Sequence, residues 1–162
     1  MNLTKHPNIA LLALACAGAI GSASAGSAHF IKGPTSSISG PTVTETWKES
    51  GLGNGDVNYR ASANAIARFQ CVNRGNQCPQ ASNKQDVSSP VFTNGSFKVK
   101  NGTVTAFLTL GPPGSTLTCP GNQVSQLVRV MYTDIALSDE TNGLIDVPAV
   151  SDTQTYSSTE CP

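Results

Sequence analysis

Histidine is nearly missing from the chain, and its scarcity excludes several kinds of chemistry. The 162 residues include two histidines, His6 and His29. A Ser–His–Asp triad would have to use one of them, and the Gly-x-Ser-x-Gly elbow that presents the serine of many hydrolases does not occur. An N-terminal His29 would lack the second histidine of an oxidative copper site, because we expect the segment that contains His6 to be removed.

Charge is also scarce, and the usual metal and redox motifs are missing. Charged residues make up 12% of the sequence, with ten basic and ten acidic side chains. No basic run stands out, so we expect no nucleic-acid partner. There is no Cys-x-x-Cys pair and no Asp-x-Asp-x-Asp-Gly loop, so we expect no cofactor. Calcium is the one metal for which oxygen ligands could gather at one end of the domain, from Asp134, Asp139, Glu140 and Asp146.

The first 28 residues have the three parts of a secretory signal peptide. Lys5 and His6 give a basic start, an apolar run follows from Ile9 to Ala15, and small residues dominate from Gly21 to Ala28. The apolar part is shorter than the roughly 20 residues of a membrane-spanning helix. We therefore expect cleavage before Gly26 or His29 and export to the periplasm or the extracellular space.

A second interpretation of this segment is a lipid anchor. Ala13-Leu14-Ala15-Cys16 is a near match to the box at which bacterial lipoproteins are cleaved and acylated. Cys16 would then hold the protein at the membrane through a flexible tether of residues 17–28. Under this alternative the protein is a surface-anchored envelope lipoprotein.

Four cysteines remain after either form of processing. An even number of cysteines in an exported domain predicts two disulfides. Three pairings are possible, and one of them is local, with Cys71 joined to Cys78 and Cys119 to Cys161. Another joins Cys71 to Cys119 and Cys78 to Cys161, and we favour it because Cys71 lies on the inward phase of a strand.

The strongest structural signal is a period of two between Val57 and Cys71. Such alternation is typical of a strand with one face on a core, whereas a helix would spread these apolar residues around its circumference. The inward positions are Val57, Tyr59, Ala61, Ala63, Ala65, Ala67, Phe69 and Cys71.

Other strand and turn signals follow along the chain. Residues 29–42 are rich in Gly, Pro, Ser and Thr and read as a flexible lead-in before a first strand over 43–48. Pro90 predicts an edge strand or a bulge, and Asn101-Gly102 predicts a hairpin. Asp134 marks a bulge that shifts the phase before Ile135, and residues 144–150 form a weak last strand.

These signals predict an all-β fold with residues 43–162 as one domain. Several short strands separated by turns, with almost no helical pattern, are typical of an antiparallel β-sandwich. An immunoglobulin-like topology is the version we favour, and a jelly roll or a small barrel is the alternative.

Several short stretches resemble a group of small, secreted, β-rich bacterial proteins of uncharacterised function. The resemblance covers most of the chain after residue 28 and implies an exported β-domain. It brings no activity, ligand or catalytic residue with it. The stretches are 47–53, Cys71-Val72-Asn73, Asn83-Lys84, Pro112-Pro113, Cys119-Pro120, Tyr132-Thr133-Asp134 and Leu137-Ser138-Asp139.

Amide-rich loops are the first candidates for function. Loops on a rigid sandwich commonly carry recognition, and amides suit a glycan or a protein ligand. We expect a non-enzymatic protein that binds through its loops, with candidate residues Asn54, Tyr59, Asn73, Arg74, Asn76 and Asn83.

A small secreted hydrolase is the alternative from a different class. Glycoside hydrolysis needs two carboxyl groups that converge in a cleft. The candidates are Glu45 with Glu49, or the acids Asp134, Asp139 and Glu140.

The mass of the native mature protein tests how its N-terminus is made. We expect soluble material that begins at Gly26 or His29 and that gains the hydrogens of two opened disulfides on reduction. A membrane-bound form that begins at a diacylated Cys16 would instead identify an envelope lipoprotein. Intact mass spectrometry of the soluble and membrane fractions, reduced and unreduced, makes this distinction.

Overall fold

The computed structural model describes residues 27–146 and 153–162. The expected signal peptide, Cys16 and residues 147–150 of the expected last strand lie outside the described residues. Among the residues described, no helix has the length and apolar character needed to cross a membrane.

Antiparallel strands form two sheets. Sheet A has the order β1-β2-β5, and sheet B has the order β4-β3-β6-β7, with β8 also paired to β6. The prediction of an all-β sandwich is confirmed, whereas the immunoglobulin-like version stays a prediction. The strands are β1 (His29–Ser39), β2 (Thr42–Ser50), β3 (Asp56–Val72), β4 (Lys84–Lys98), β5 (Thr103–Leu110), β6 (Val124–Asp139), β7 (Leu144–Asp146) and β8 (Gln154–Ser157).

Strand β3 is the centre of the core, as its alternation predicts. Every inward position from Val57 to Cys71 is buried, while Ile66 points outward. Trp47 of sheet A packs on Tyr59 of sheet B, with ring centroids 4.8 Å apart. The buried alanines of β3 add little volume to the core, whereas Trp47 adds a large ring beside Tyr59.

The predicted bulge is present at Asp134. Ser62 pairs with Ala136 and Asn64 pairs with Thr133, so β6 has one more residue than β3 between these pairs. Asp134 takes a φ of 52°, in the left-handed region that few non-glycine residues adopt. The extra residue returns Ile135 to the core, which confirms the phase shift.

The Asn101-Gly102 turn forms, but the prediction that it closes a hairpin is wrong. Both residues have positive φ, and Lys100 and Thr103 exchange backbone hydrogen bonds of 2.9 and 3.0 Å across the turn. Strand β4 belongs to sheet B and β5 to sheet A, so the turn is a corner between the sheets. Turn chemistry fixes the local reversal and does not determine which strands pair beyond it.

Pro90 lies on β4, which is the edge strand of sheet B, as predicted. The missing N–H of proline is tolerated there because one side of an edge strand has no ladder partner.

The prediction of a flexible lead-in over 29–42 is wrong, because most of this stretch is strand β1. It pairs with β2 from His29 opposite Ser50 to Ser39 opposite Thr42. Most side chains of β1 are exposed, so apolar alternation gave no signal for it. The strand is held chiefly by backbone pairing, with register shifts on either side of Lys32.

Two disulfides join Cys71 to Cys119 and Cys78 to Cys161. Of the three pairings that four cysteines allow, the structure has the one we favoured. Disulfides of this kind are typical of extracellular or periplasmic proteins.

Replacing Ala65 with leucine tests how tightly the core is packed around the middle of β3. We expect Ala65→Leu to lower the free energy of unfolding by about 1–3 kcal/mol, because the buried site has no room for the added atoms. Denaturant titration measures the change. Ile66→Leu, on the exposed face of the same strand, is the matched control and should change it by less than about 0.5 kcal/mol. Equal stability of the two variants would contradict tight packing at Ala65.

Candidate functional site

The outer face of sheet B has a shallow depression beside the β6 bulge, which we call the bulge pocket. It encloses about 270 Å³ and draws on three neighbouring strands. Its lining is Arg60, Ser62, Ala63, Asn64, Pro90, Val91, Phe92 and Asp134.

The bulge fixes the carboxylate of Asp134 in this pocket. Nδ2 of Asn64 donates to Oδ2 of Asp134 at 2.8 Å, and the Thr133 hydroxyl donates to the same oxygen at 3.3 Å. Oδ1 has no hydrogen-bond partner among the described residues and is available to a ligand. β-Bulges often redirect a side chain in this way beside a functional site. A positive φ at a non-glycine residue also costs conformational free energy, and such strain is commonly found at functional sites.

An exposed aromatic ring and a guanidinium form the other side of the pocket. Phe92 is 58% exposed, and Cζ of Arg60 lies 4.1 Å from its ring centroid. A cation over an exposed ring contributes about 0.5–1 kcal/mol. Arg60 is therefore held in place with N–H donors to spare, because stacking uses none of them.

Together these groups can bind a polyhydroxylated ligand. The guanidinium and the Asn64 amide offer donors, and the Asp134 carboxylate offers an acceptor. The ring of Phe92 offers an apolar surface to the C–H face of a sugar. A few fixed polar groups beside an aromatic ring are the usual composition of a small-ligand site.

The predicted loop residues do not form one site. Asn54 precedes β3, whereas the other loop candidates follow it. The 17 residues of β3 separate the two loops by about 55 Å, because a strand rises about 3.3 Å per residue. A single small ligand cannot contact both. The candidates beyond β3 are Asn73, Arg74, Asn76 and Asn83.

The amides beyond β3 shape their own loop. Asn76 has a φ of 59°, and its N–H donates to the carbonyl of Asn73 at 3.1 Å. Asparagine tolerates a positive φ better than most residues, so the loop conformation itself explains why asparagine occurs here.

The prediction of Tyr59 as a binding residue is wrong, because its side chain is fully buried. It lies on the inward face of β3, and its hydroxyl donates to Oε2 of Glu49 at 2.7 Å.

Two of the candidate acids meet inside the sandwich, and we call Glu49 and Asp139 the buried acid pair. Glu49 is 0% exposed and Asp139 is 1% exposed. Oδ1 of Asp139 accepts the N–H groups of Thr141 and Asn142 at 2.8 and 2.9 Å, so this carboxylate holds the turn after β6. Burial, with the negative charge of Asp139 nearby, raises the pKa of Glu49 to about 7, although the bond from Tyr59 opposes the shift.

Glu45 is a third buried acid, four residues before Glu49 on the same inward face of β2. Neither of its carboxyl oxygens has a hydrogen-bond partner among the described residues. Burial raises its pKa, and the neighbouring Ser36 hydroxyl reduces this effect. Both inward acids of β2 thus favour their protonated, neutral forms more than exposed glutamates do.

The candidate hydrolytic and calcium-binding acids are not gathered in a cleft. Asp134 lies on the outer face of sheet B, Glu140 is exposed in a turn, and Asp139 is buried. Within residues 27–146 and 153–162, no group of three or more His, Cys, Asp or Glu side chains is placed to hold a metal ion. Among the described residues, Asp134, Asp139, Glu140 and Asp146 therefore do not form the calcium site that their sequence positions left possible.

Asp134 is the one lining residue of the bulge pocket that the sequence indicates as a candidate for function. It was predicted as a bulge and as a candidate acid, whereas Arg60, Asn64 and Phe92 were not predicted. Phe92 is a large apolar residue among the mostly polar outward positions of β4, and this exception could have indicated a binding surface. Comparison with known proteins adds no relative, since no family model, curated protein or solved structure matches the chain.

The pKa of Glu49 predicts how stability depends on pH. A carboxyl group whose pKa is raised by folding binds more protons in the native state than in the unfolded state, so stability falls as pH rises. We expect the free energy of unfolding to drop between about pH 4.5 and pH 7, by on the order of 2 kcal/mol from Glu49.

The Glu49→Gln variant isolates this contribution. Glutamine keeps the shape and the oxygen that accepts from Tyr59 but cannot ionise, so the variant should be more stable than the native protein at pH 8 and less sensitive to pH. Urea titrations from pH 4 to pH 9 measure both effects. Glu140→Gln, an exposed acid of the adjacent turn, is the control and should keep the native profile. A native profile in Glu49→Gln would contradict the raised pKa.

Proposed function

We propose that this chain is an exported, non-enzymatic β-sandwich protein that binds a glycan in the bulge pocket. The observation that carries the proposal is the placement of the Asp134 carboxylate, held by Asn64, beside the exposed ring of Phe92 and its stacked Arg60. Export is supported by the N-terminal pattern of the sequence and by the two disulfides.

A glycan suits this pocket better than an apolar ligand does. The depression is shallow and lies on the face of a sheet, so a chain of sugar units can lie across it with only one or two units contacting the pocket. Asp134, Asn64 and Arg60 supply both hydrogen-bond acceptors and donors, which hydroxyl groups require. An apolar ligand would leave these groups without partners, at a cost for each.

The placement of the acids supports a binding role over hydrolysis. Hydrolysis of a glycoside needs two carboxyl groups on either side of the bond. Asp134 is the one acid that lines the bulge pocket among the described residues. Glu49 and Asp139 are close together, but both are shielded from a substrate by burial.

The order of the strands supports the immunoglobulin-like version of the sandwich, which remains a proposal. Immunoglobulin-like domains place strands A, B and E in one sheet and C, F and G in the other, with C′ added beside C in variable domains. Read in chain order, β1-β2-β5 corresponds to A-B-E, and β4-β3-β6-β7 to C′-C-F-G.

Glycan binding is tested with the fluorescently labelled mature protein on a glycan array. We expect a restricted set of bound glycans. Isothermal titration calorimetry with a bound glycan should then show about 10-fold or greater loss of affinity in Asp134→Asn and in Phe92→Ala, because each removes one of the pocket's main contacts. Asp134→Asn is a mild change, since asparagine tolerates the left-handed backbone.

Controls place the site on the molecule. Asn64→Ala should weaken binding, whereas Asn122→Ala, the same change in an exposed turn before β6, should not. If Arg74→Ala abolishes binding while the pocket variants bind normally, the site lies in the loops instead. An array without a bound glycan would overturn the proposal, and capture of a protein ligand by the same pocket residues would replace it.

A further inference from the structure

Four lysines line two adjoining depressions, one on the outer face of sheet A and one at the corner between β4 of sheet B and β5 of sheet A. Lys32 of β1 and Lys48 of β2 line a depression of about 370 Å³ together with the exposed ring of Phe107. Lys48 also lines an adjoining depression of about 660 Å³, to which Lys98 and Lys100 contribute at the β4–β5 corner. Because the two depressions share Lys48 and Thr105, they form one elongated surface, which we call the lysine track.

Most of the positive charge of the track has no opposing acid among the described residues, the exception being Lys98, which lies opposite Asp56 in the β3–β4 ladder. No acidic residue lines either depression among the described residues, and none of the four lysines forms an ion pair there. The acids of β2, Glu45 and Glu49, are buried in the core and do not share this surface. The chain as a whole has balanced charge, so this concentration of lysines is produced by the fold.

The register of sheet A places two of these charges opposite each other. Lys32 pairs with Lys48 across the β1–β2 ladder, and both reach the same depression. Like charges in directly opposed positions destabilise a sheet. A polyanion bound between the two ammonium groups would offset their repulsion, because each lysine would then face a negative charge. Binding of such a ligand would explain why the two lysines are paired.

We propose that the lysine track binds an anionic polysaccharide, at a site separate from the bulge pocket. Two joined depressions match a chain that carries several negative charges better than they match a single ion. The hydroxyls of Thr46, Thr103 and Thr105 line the same surface and can bond to sugar hydroxyls. Phe107, 63% exposed, gives a sugar ring an apolar face.

A membrane surface and a nucleic acid fit the lysine track less well. Insertion into a membrane interface needs a broad apolar surface, and Phe107 is the one strongly exposed large apolar side chain in the lining. Nucleic-acid interfaces are larger and much more basic than four lysines provide, and they commonly use arginine to recognise phosphates. Both remain outcomes of the test.

The experiment measures binding of the mature protein to dextran sulfate and to polygalacturonate, with uncharged dextran as the reference. We expect binding to the two anionic polymers that weakens steeply with salt, because counterions are released on binding. The Lys48→Gln/Lys100→Gln variant should bind about 10-fold more weakly at 50 mM salt and should lower the slope of log affinity against log salt by about two.

Two further variants separate this site from non-specific attraction. Phe107→Ala should weaken binding by about 5-fold while the salt slope stays unchanged, because an aromatic contact with a sugar carries no charge. Arg129→Gln removes one positive charge from an exposed position outside the track and is the control for Lys48→Gln. Phe92→Ala should not affect polyanion binding, so failure of the bulge pocket and failure of the lysine track are distinguishable.

Three results would overturn the proposal. Equal binding to uncharged dextran would exclude an electrostatic site. Equal losses in Lys48→Gln and Arg129→Gln would show attraction to net charge alone. Tighter binding to duplex DNA, or to phosphatidylcholine vesicles that contain phosphatidylglycerol, would assign the track to a nucleic acid or to a membrane surface.

Discussion

The core between the two sheets is organised around β3, whose middle presents only methyl groups to it. Ala61, Ala63, Ala65 and Ala67 are all buried, and the larger rings of Trp47 and Tyr59 pack beside them at one end of the sandwich. The alternation of β2 decides where its acids lie. Glu45 and Glu49 share the inward phase of β2 with Trp47, so they are buried with it. The polar outward phase of the same strand carries Thr46 and Lys48.

Much of the fold was predictable from local pattern, and the exceptions have physical reasons. The alternation of β3 and the phase shift at Asp134 could be read from the sequence because each depends on neighbouring residues of one strand. Strand β1 could not, since its side chains are mostly exposed and its partner β2 supplies its hydrogen bonds. The corner at Asn101-Gly102 has the turn chemistry of a hairpin, and only the packing of the whole domain sends its two strands into different sheets.

The candidate surfaces were harder to predict because the register assembles them. Arg60, Phe92 and Asp134 belong to three different strands, and their proximity depends on how β3 pairs with β4 and β6. The four lysines of the track are likewise spread along the chain from Lys32 to Lys100, so the sequence contains no basic run to reveal them. The loop residues were predicted as a site because their amides cluster in the sequence. The positive φ of Asn76 explains its presence in the loop without a ligand.

The bulge at Asp134 has a consequence for how the sheet can grow. On the side of β6 away from β3, β8 covers Arg129 to Tyr132 and β7 covers Leu137 to Asp139, and the bulge lies between these two short segments. Among the described residues, an incoming strand from another molecule would therefore meet the two short strands β7 and β8 in place of one continuous edge. At the opposite edge of the sheet, Pro90 of β4 lacks the backbone N–H that could bond to an incoming strand. Strands from different molecules associate along long, regular edges. The short and interrupted edges of sheet B therefore disfavour its extension into a fibril.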